Sequence, residues 1–289
     1  MEKINSFLKL IRIKHWIKNF LIFIPIVSAN LLYTENIILT LLGFISFSTM
    51  TSFIYIINDI KDIEKDKLHP RKKNRPLPSG KINKAVAIII AIIMCLLSLI
   101  INTYINKSII NVSLIFLVIY TLLNILYSFG LKNVAILDVI ILAAGFVLRV
   151  YYGAAIIDIE VSNWLFLTIL NASLFLGLGK RRKEIANNKN SRKVLEEYNE
   201  KFLDKFQYLT LGLTLVFYSL WTIEQNIPGL FLTIPIIMVI FMKYCLIIEK
   251  CDEGDPTTIL YQDKSLLIIC LFYAILMFFF MVIVKNECI

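Results

Sequence analysis

The sequence predicts an all-α integral membrane protein, a bundle of about nine transmembrane helices with an active-site cavity facing the cytoplasm. Three observations carry this expectation. Hydrophobic residues make up 58% of the chain and the mean hydropathy is +0.75, far outside the soluble range. Apolar runs of about 20 residues, the length that crosses a bilayer, recur from one end to the other. Basic residues gather in alternate loops, as the positive-inside rule requires of a multi-pass chain.

Residues 1–19 carry Lys3, Lys9, Arg12, Lys14, His15, Trp16, Lys18 and Asn19 among Ile, Leu and Phe. This pattern predicts an amphipathic helix on the bilayer surface. It serves either as an anchor, through Trp16 and the lysines, or to deliver Lys14 or Lys18 to a phosphate. No short apolar region with a small-residue cleavage site is present, so the first apolar run reads as a membrane span and not as a removable signal.

The expected spans are 20–33, 37–57, 83–103, 108–127, 134–156, 162–179, 204–224, 229–248 and 264–284. The turns at 33–36, 103–107, 158–163 and 224–229 are short and hold one Lys or Arg between them, Lys107. Loops 58–84, 180–203 and 249–263, with Lys132 and the loop edges out to 205 and across 243–264, hold nearly all the basic residues beyond the N-terminal segment. These loops and the N-terminus therefore belong in the cytoplasm, and the plasma membrane is the expected location. The chain reads as one transmembrane catalytic domain over 1–289. The formal charge of +9 reflects loop topology and phosphate-bearing ligands, not nucleic acid. Five cysteines lack any metal-ligand spacing and read as small apolar fillers.

Chemistry concentrates in Tyr55–Gly80. On a helix, Asn58, Asp62 and Asp66 share one face, with Asp59 at its edge and Tyr55 one turn earlier. Clustered acids repel one another until a cation binds, and oxygen-only ligands favour Mg²⁺ with a phosphate partner over zinc. The basic stretch that follows, with His69, Lys72 and Arg75, suits an anion.

A second group is Tyr127, Lys132, Asp138 and Arg149. Lys132 ends a helix at the membrane edge, where a snorkelling lysine is ordinary. Arg149 lies inside an apolar run and needs a partner or a polar cavity. Pairing with Asp138, about three turns away, is one reading; binding an anionic ligand head is the other. A third group, Lys180, Arg181, Arg182 and Lys183, serves membrane topology or clamps phosphates. A fourth, Glu249, Asp252, Glu253, Asp255 and Asp263, is an acidic loop that binds a cation or pairs with basic loops. With only His15 and His69, no Ser-His-Asp set forms, and no glycine-rich nucleotide loop is present.

The run Asn58-Asp59-x-x-Asp62-x-x-x-Asp66 after the second span, in a chain of this helix pattern, resembles the first signature of the UbiA superfamily of intramembrane prenyltransferases. The resemblance spans essentially the whole chain. Typical members carry a second acidic motif at the end of the sixth span. Here that place reads Gly179-Lys180-Arg181-Arg182-Lys183-Glu184. This departure resembles a branch that transfers phosphoribosyl groups to polyprenyl phosphates. Lys14-His15-Trp16-Ile17-Lys18-Asn19, His69-Pro70, Leu137-Asp138 and Gly254-Asp255-Pro256 look like that branch too.

The resemblance implies a Mg²⁺-dependent membrane phosphoribosyltransferase. Its donor is phosphoribosyl diphosphate and its acceptor a polyprenyl phosphate, with a place in cell-wall synthesis and a homo-oligomer among the expected states. It implies metal ligands Asn58, Asp59, Asp62 and Asp66, and substrate contacts from Lys18, Tyr55, Lys72, Arg75, Tyr127, Lys132, Arg149, Lys180 and Arg181. Catalysis would rest on Asp59, Asp62, Asp66, Lys132 and Arg149. Two alternatives stay open: prenyl transfer from a prenyl diphosphate to an aromatic or other acceptor, and a lipid-binding or transport protein without catalysis.

Overall fold

The computed structural model describes residues 2–70, 72–187, 193–250 and 256–285, and all regular structure among them is helical. Twelve α-helices run in chain order: α1 (Glu2–Leu10), α2 (Ile24–Ser28), α3 (Thr34–Lys61), α4 (Ile63–Leu68), α5 (Lys84–Asn106), α6 (Val112–Phe129), α7 (Leu137–Ile156), α8 (Asn163–Ala186), α9 (Glu200–Glu224), α10 (Thr233–Lys250), α11 (Pro256–Gln262) and α12 (Lys264–Phe278). A 3-10 segment, Ile13–Phe23, leads into α2, and a π-helical turn, Phe279–Val284, extends α12.

Among the described residues, seven stretches are long and apolar enough to cross a membrane: α3, α5, α6, α7, α9, Leu230–Lys250 and Lys264–Val284. Two of the nine expected spans take another form. The first is the 3-10 segment plus the five residues of α2. The sixth is α8, whose 24 residues include Lys180–Lys183 and the buried polar residues Thr168, Asn171 and Ser173. Both pack into the same bundle, the first against α3 and α7, the second against α7 and α9.

The starts of several helices follow from local chemistry. Asn83, Asn111, Asn199 and Asp263 each accept a hydrogen bond from the first turn of the helix they precede. Such caps satisfy backbone donors that have no partner inside the helix. Outward faces are apolar: Ile89, Leu96 and Ile275 are 57%, 53% and 68% exposed. In water that belt would be a large liability; in a bilayer it is the solvated surface.

The segment before α2 departs from the expected 1–19 surface helix. The α-helix stops at Leu10, and Arg12 takes a left-handed conformation, φ 52° and ψ 47°. From there the chain turns onto a polar stripe of α3. Trp16 Nε1 donates to Ser52 Oγ at 3.1 Å, Asn19 Nδ2 to Ser48 Oγ at 2.9 Å, and Ser52 Oγ to the Ile11 carbonyl at 2.8 Å. Small polar residues inside an apolar span allow this close, hydrogen-bonded approach. On the other side, a side chain at Gly153 of α7 would collide with the Ile22 backbone, so glycine permits that crossing.

Candidate active site

The end of α3 sorts the acidic residues into two adjacent stripes. At 3.6 residues per turn, Asp59 and Asp66 lie about 20° apart around the axis, with Asn58 and Asp62 on the neighbouring stripe. Hydrogen bonds from Asp62 N to Asn58 O (3.0 Å) and from Asp66 N to Asp62 O (2.8 Å) carry this register across the junction with α4.

The Asp59–Asp66 stripe is buried, 4% and 3% exposed, and filled by cations. Arg12 Nη2 donates to Asp59 Oδ1 at 2.5 Å, and Arg75 Nη1 to Asp59 Oδ1 at 3.1 Å and Asp66 Oδ2 at 2.6 Å. Lys72 Nζ stands 3.8 Å from Asp66 Oδ1. The Arg12 guanidinium also lies over the Tyr55 ring, 4.7 Å from its centroid, and that ring packs on His15 at 5.4 Å. Five of the expected site residues therefore meet here: Tyr55, Asp59, Asp66, Lys72 and Arg75.

The Asn58–Asp62 stripe is different. Both side chains are half-buried and neither has a hydrogen bond or ion pair with any described residue. Among the described residues no three His, Cys, Asp or Glu side chains converge as a metal cluster. One amide oxygen and one carboxylate, both uncommitted, suit Mg²⁺. That ion keeps several waters and takes its remaining ligands from substrate phosphates.

A third cluster is closed to solvent. Arg181 is fully buried. It donates from Nε to Asp138 Oδ2 at 2.5 Å, from Nη1 to Glu184 Oε2 at 2.8 Å and from Nη2 to Tyr127 Oη at 3.1 Å. Tyr198 Oη donates to Asp138 Oδ1 at 2.6 Å and accepts from the Ile136 N–H. Burial, with the Asp138 carboxylate alongside, pushes the Tyr198 phenol well above its ordinary value. Asp138 thus pairs with Arg181, and the alternative pairing with Arg149 is corrected. Asp138 opens α7 and Arg181 closes α8, so the antiparallel packing of these two helices brings both to the same end.

Arg149 sits deeper, 5% exposed and without an acidic partner among the described residues. Nε donates to Asn19 Oδ1 at 2.8 Å, Nη1 to the Gly145 carbonyl at 2.5 Å and Nη2 to Tyr120 Oη at 2.9 Å. Phe47, Tyr120 and Phe146 present ring faces to it at 4.9–5.5 Å. Lys18, Lys132 and Lys180 are half-buried at the same end of the bundle as the α3 terminus, and Lys132 has no partner among the described residues. Asp252, Glu253 and Asp255 of the acidic loop lie outside the described residues. Arg12, Asn19, Glu184 and Tyr198 were not singled out as site residues by the sequence; Glu184 and Tyr198 lie in charged stretches that give no sign of burial.

Two cavities bear on a substrate, the first lined by some of these groups and the second by none of them. One, about 520 Å³, opens between α1 and the 74–76 turn and is lined by Lys9, Arg12, Lys14, Asp59 and Arg75. The other, about 370 Å³, is almost wholly apolar and lies between the 3-10 segment, α8, α9, α10 and α12; its walls include Phe20, Ala172, Trp221 and Ala274.

Comparison with known proteins agrees with this architecture. A UbiA homolog from Archaeoglobus fulgidus, solved with GPP and Mg²⁺ bound, superposes with a TM-score of 0.71 at 20% identity, covering 96% of this chain and 99% of that one. Decaprenyl-phosphate phosphoribosyltransferase of Mycolicibacterium smegmatis is 28% identical over 93% of this chain and 90% of its own length. The protein of the same name from Corynebacterium glutamicum is 26% identical over 92% and 84%. The model of the UbiA prenyltransferase family matches residues 21–262, and the chain belongs to that family.

Proposed function

We propose that this chain is a Mg²⁺-dependent phosphoribosyltransferase of the plasma membrane. It moves the 5-phosphoribosyl group of phosphoribosyl diphosphate to a polyprenyl phosphate and releases diphosphate. The observation that carries the reading is the basic end of α8, Lys180–Lys183, in a chain whose relatives over nine-tenths of its length are named decaprenyl-phosphate phosphoribosyltransferase. Arg181 is held by Asp138 and Glu184, Arg182 by Asp204 and Lys183 by the Glu249 carbonyl, so the role of meeting a second phosphorylated substrate falls to Lys180.

Asn58 and Asp62 would hold the metal, which supplies charge neutralisation to the leaving diphosphate. Asp59 and Asp66 hold Arg12, Lys72 and Arg75 beside that position, where they raise the positive potential felt by the phosphorylated donor. Tyr55, stacked under Arg12, flanks the donor. As the ribose C1–oxygen bond to diphosphate breaks, positive charge develops on the sugar, and a lipid phosphate oxygen bonds C1 from the opposite face. That oxygen is already anionic, so no strong general base is needed. Lys18, Lys132, Arg149 and Lys180 would divide between the acceptor phosphate and the donor. Arg181 and Tyr127 act through the Asp138 network, fixing the end of α8 that presents Lys180. Positioning and fixed positive potential provide the catalysis. The apolar cavity beside Phe20 and Ala274 suits the first isoprene units of the lipid, with the rest of the tail in the bilayer.

Purified protein in detergent, given Mg²⁺, phosphoribosyl diphosphate and a polyprenyl phosphate, is expected to release diphosphate and form a phosphoribosylated lipid. Turnover of a prenyl diphosphate with an aromatic acceptor, and none of phosphoribosyl diphosphate, would assign the chain to prenyl transfer instead.

A further inference from the structure

The cavity between α1 and the 74–76 turn is cationic out of proportion to the acidic motif beside it. Four cations line it, Lys9, Arg12, Lys14 and Arg75, against one lining carboxylate, Asp59. Lys9 and Lys14 are exposed and have no ionic partner among the described residues. Asp59 and Asp66 are saturated by Arg12 and Arg75, so the excess positive charge comes from the lysines and from whatever the arginines can still donate. Each guanidinium carries five N–H donors in a fork that matches phosphate oxygens. Arg12 uses Nη2 on Asp59 and Arg75 uses Nη1 on both carboxylates; their other donors are uncommitted among the described residues.

Arg12 takes a left-handed backbone conformation at φ 52°, one of six non-glycine residues that do so among the described residues. Here it turns the chain from α1 into the 3-10 segment and sets the guanidinium between Asp59 and the Tyr55 ring. Asn5 and Asn74 on the cavity wall add neutral polar contacts of the kind a sugar hydroxyl uses. A volume of about 520 Å³ lies in the range of small-molecule sites.

We propose that this cavity is a second phosphate site, separate from the Asn58–Asp62 metal position, and that it takes a sugar phosphomonoester. Resting on the phosphoribosyl reading above, it holds the 5-phosphate of the donor while the diphosphate end lies on the Asn58–Asp62 stripe. Arg12, Lys14 and Arg75 bind the monoester. Asp59 and Asp66 are positioning residues that orient the arginines, not metal ligands. A prenyl diphosphate has an anionic group at one end only and leaves the cavity empty, so the site also sets donor specificity.

The test uses the full chain in detergent with ribose 5-phosphate as the probe, by calorimetry without Mg²⁺. Wild-type protein is expected to bind it. Arg12→Gln should weaken binding about tenfold or more, and Lys14→Gln about threefold, the loss of one charge-assisted contact each. Lys14 is exposed and touches no carboxylate, so Lys14→Gln reads the site even if Arg12→Gln fails to fold. Mg²⁺-dependent binding of inorganic diphosphate should be unchanged in Lys14→Gln. No binding of ribose 5-phosphate, or binding indifferent to both substitutions, overturns the proposal. So does binding only of phosphatidic acid in nanodiscs, lost in Lys14→Gln, because the cavity then serves a lipid headgroup. Ribose 5-phosphate binding without any phosphoribosyl turnover keeps the site and removes the reaction. Turnover with donor KM unchanged in both variants keeps the reaction and removes the site.

Discussion

Arg181 and Asp138 form an ion pair of 2.5 Å in which the side chains are 1% and 0% exposed. The pair ties the end of α8 to the start of α7; Glu184 and Tyr127 accept from Arg181 as well, and Tyr198 donates to Asp138. Breaking a buried pair by removing one partner costs about 3–5 kcal/mol, an upper figure here because Glu184 stays beside Arg181. Asp138→Ala is therefore expected to lower the thermal unfolding midpoint in detergent by several degrees. An unchanged midpoint would show that the network is not structural.

The two acidic stripes of the α3 terminus make opposite predictions. Asp62 has no side-chain partner among the described residues, so Asp62→Asn should leave the unfolding midpoint in place and lose Mg²⁺-dependent diphosphate binding about tenfold or more. Asp66→Asn leaves Arg75 and Lys72 short of a counter-charge and should lower the midpoint. Calorimetry and a thermal scan on the two variants read this directly. Equal effects of both on metal binding would place Asp66 among the ligands.

The bundle and the basic loops were legible in the sequence because each rests on local pattern, apolar runs and charge asymmetry. The acidic register was legible only in part: i to i+4 spacing put Asn58, Asp62 and Asp66 on one face, whereas Asp66 joins Asp59 under Arg75 and leaves Asn58 and Asp62 on the neighbouring stripe. Pairing was not legible. Arg149 and Arg181 look alike in sequence, as cations near Asp138 on a helical bundle. Only the antiparallel packing of α7 on α8 decides that Arg181 reaches Asp138, while Arg149, about three turns deeper, meets Asn19 and Tyr120. The splitting of 1–19 was hidden for a related reason. Its cause is a polar stripe on another helix, Ser48 and Ser52 of α3, which an amphipathic pattern within 1–19 cannot reveal.

Arg149 is a buried cation held by three neutral acceptors and three aromatic faces. Arg149→Met removes a costly buried charge but leaves Asn19 and Tyr120 short of a partner, each worth about 1–3 kcal/mol when unsatisfied. These effects oppose, so the midpoint should move less than in Asp138→Ala. If the charge serves the acceptor phosphate, KM for the polyprenyl phosphate rises about tenfold or more with donor binding intact. A variant with wild-type KM and a large stability loss would make Arg149 a structural residue.

The apolar cavity yields a prediction on the lipid alone. Ala172 on α8 and Ala274 on α12 face it from two of its walls. Ala172→Phe adds a ring to a space of about 370 Å³ and removes room for the first isoprene units, without touching any charged group named above. Long-chain polyprenyl phosphate should then show a raised KM, while Mg²⁺-dependent diphosphate binding stays at the wild-type value. A short-chain acceptor such as a C10 phosphate should suffer less, since less of its tail needs the cavity at about 0.8 kcal/mol per buried methylene. Equal losses for short and long acceptors would mean that the tail lies elsewhere between the helices.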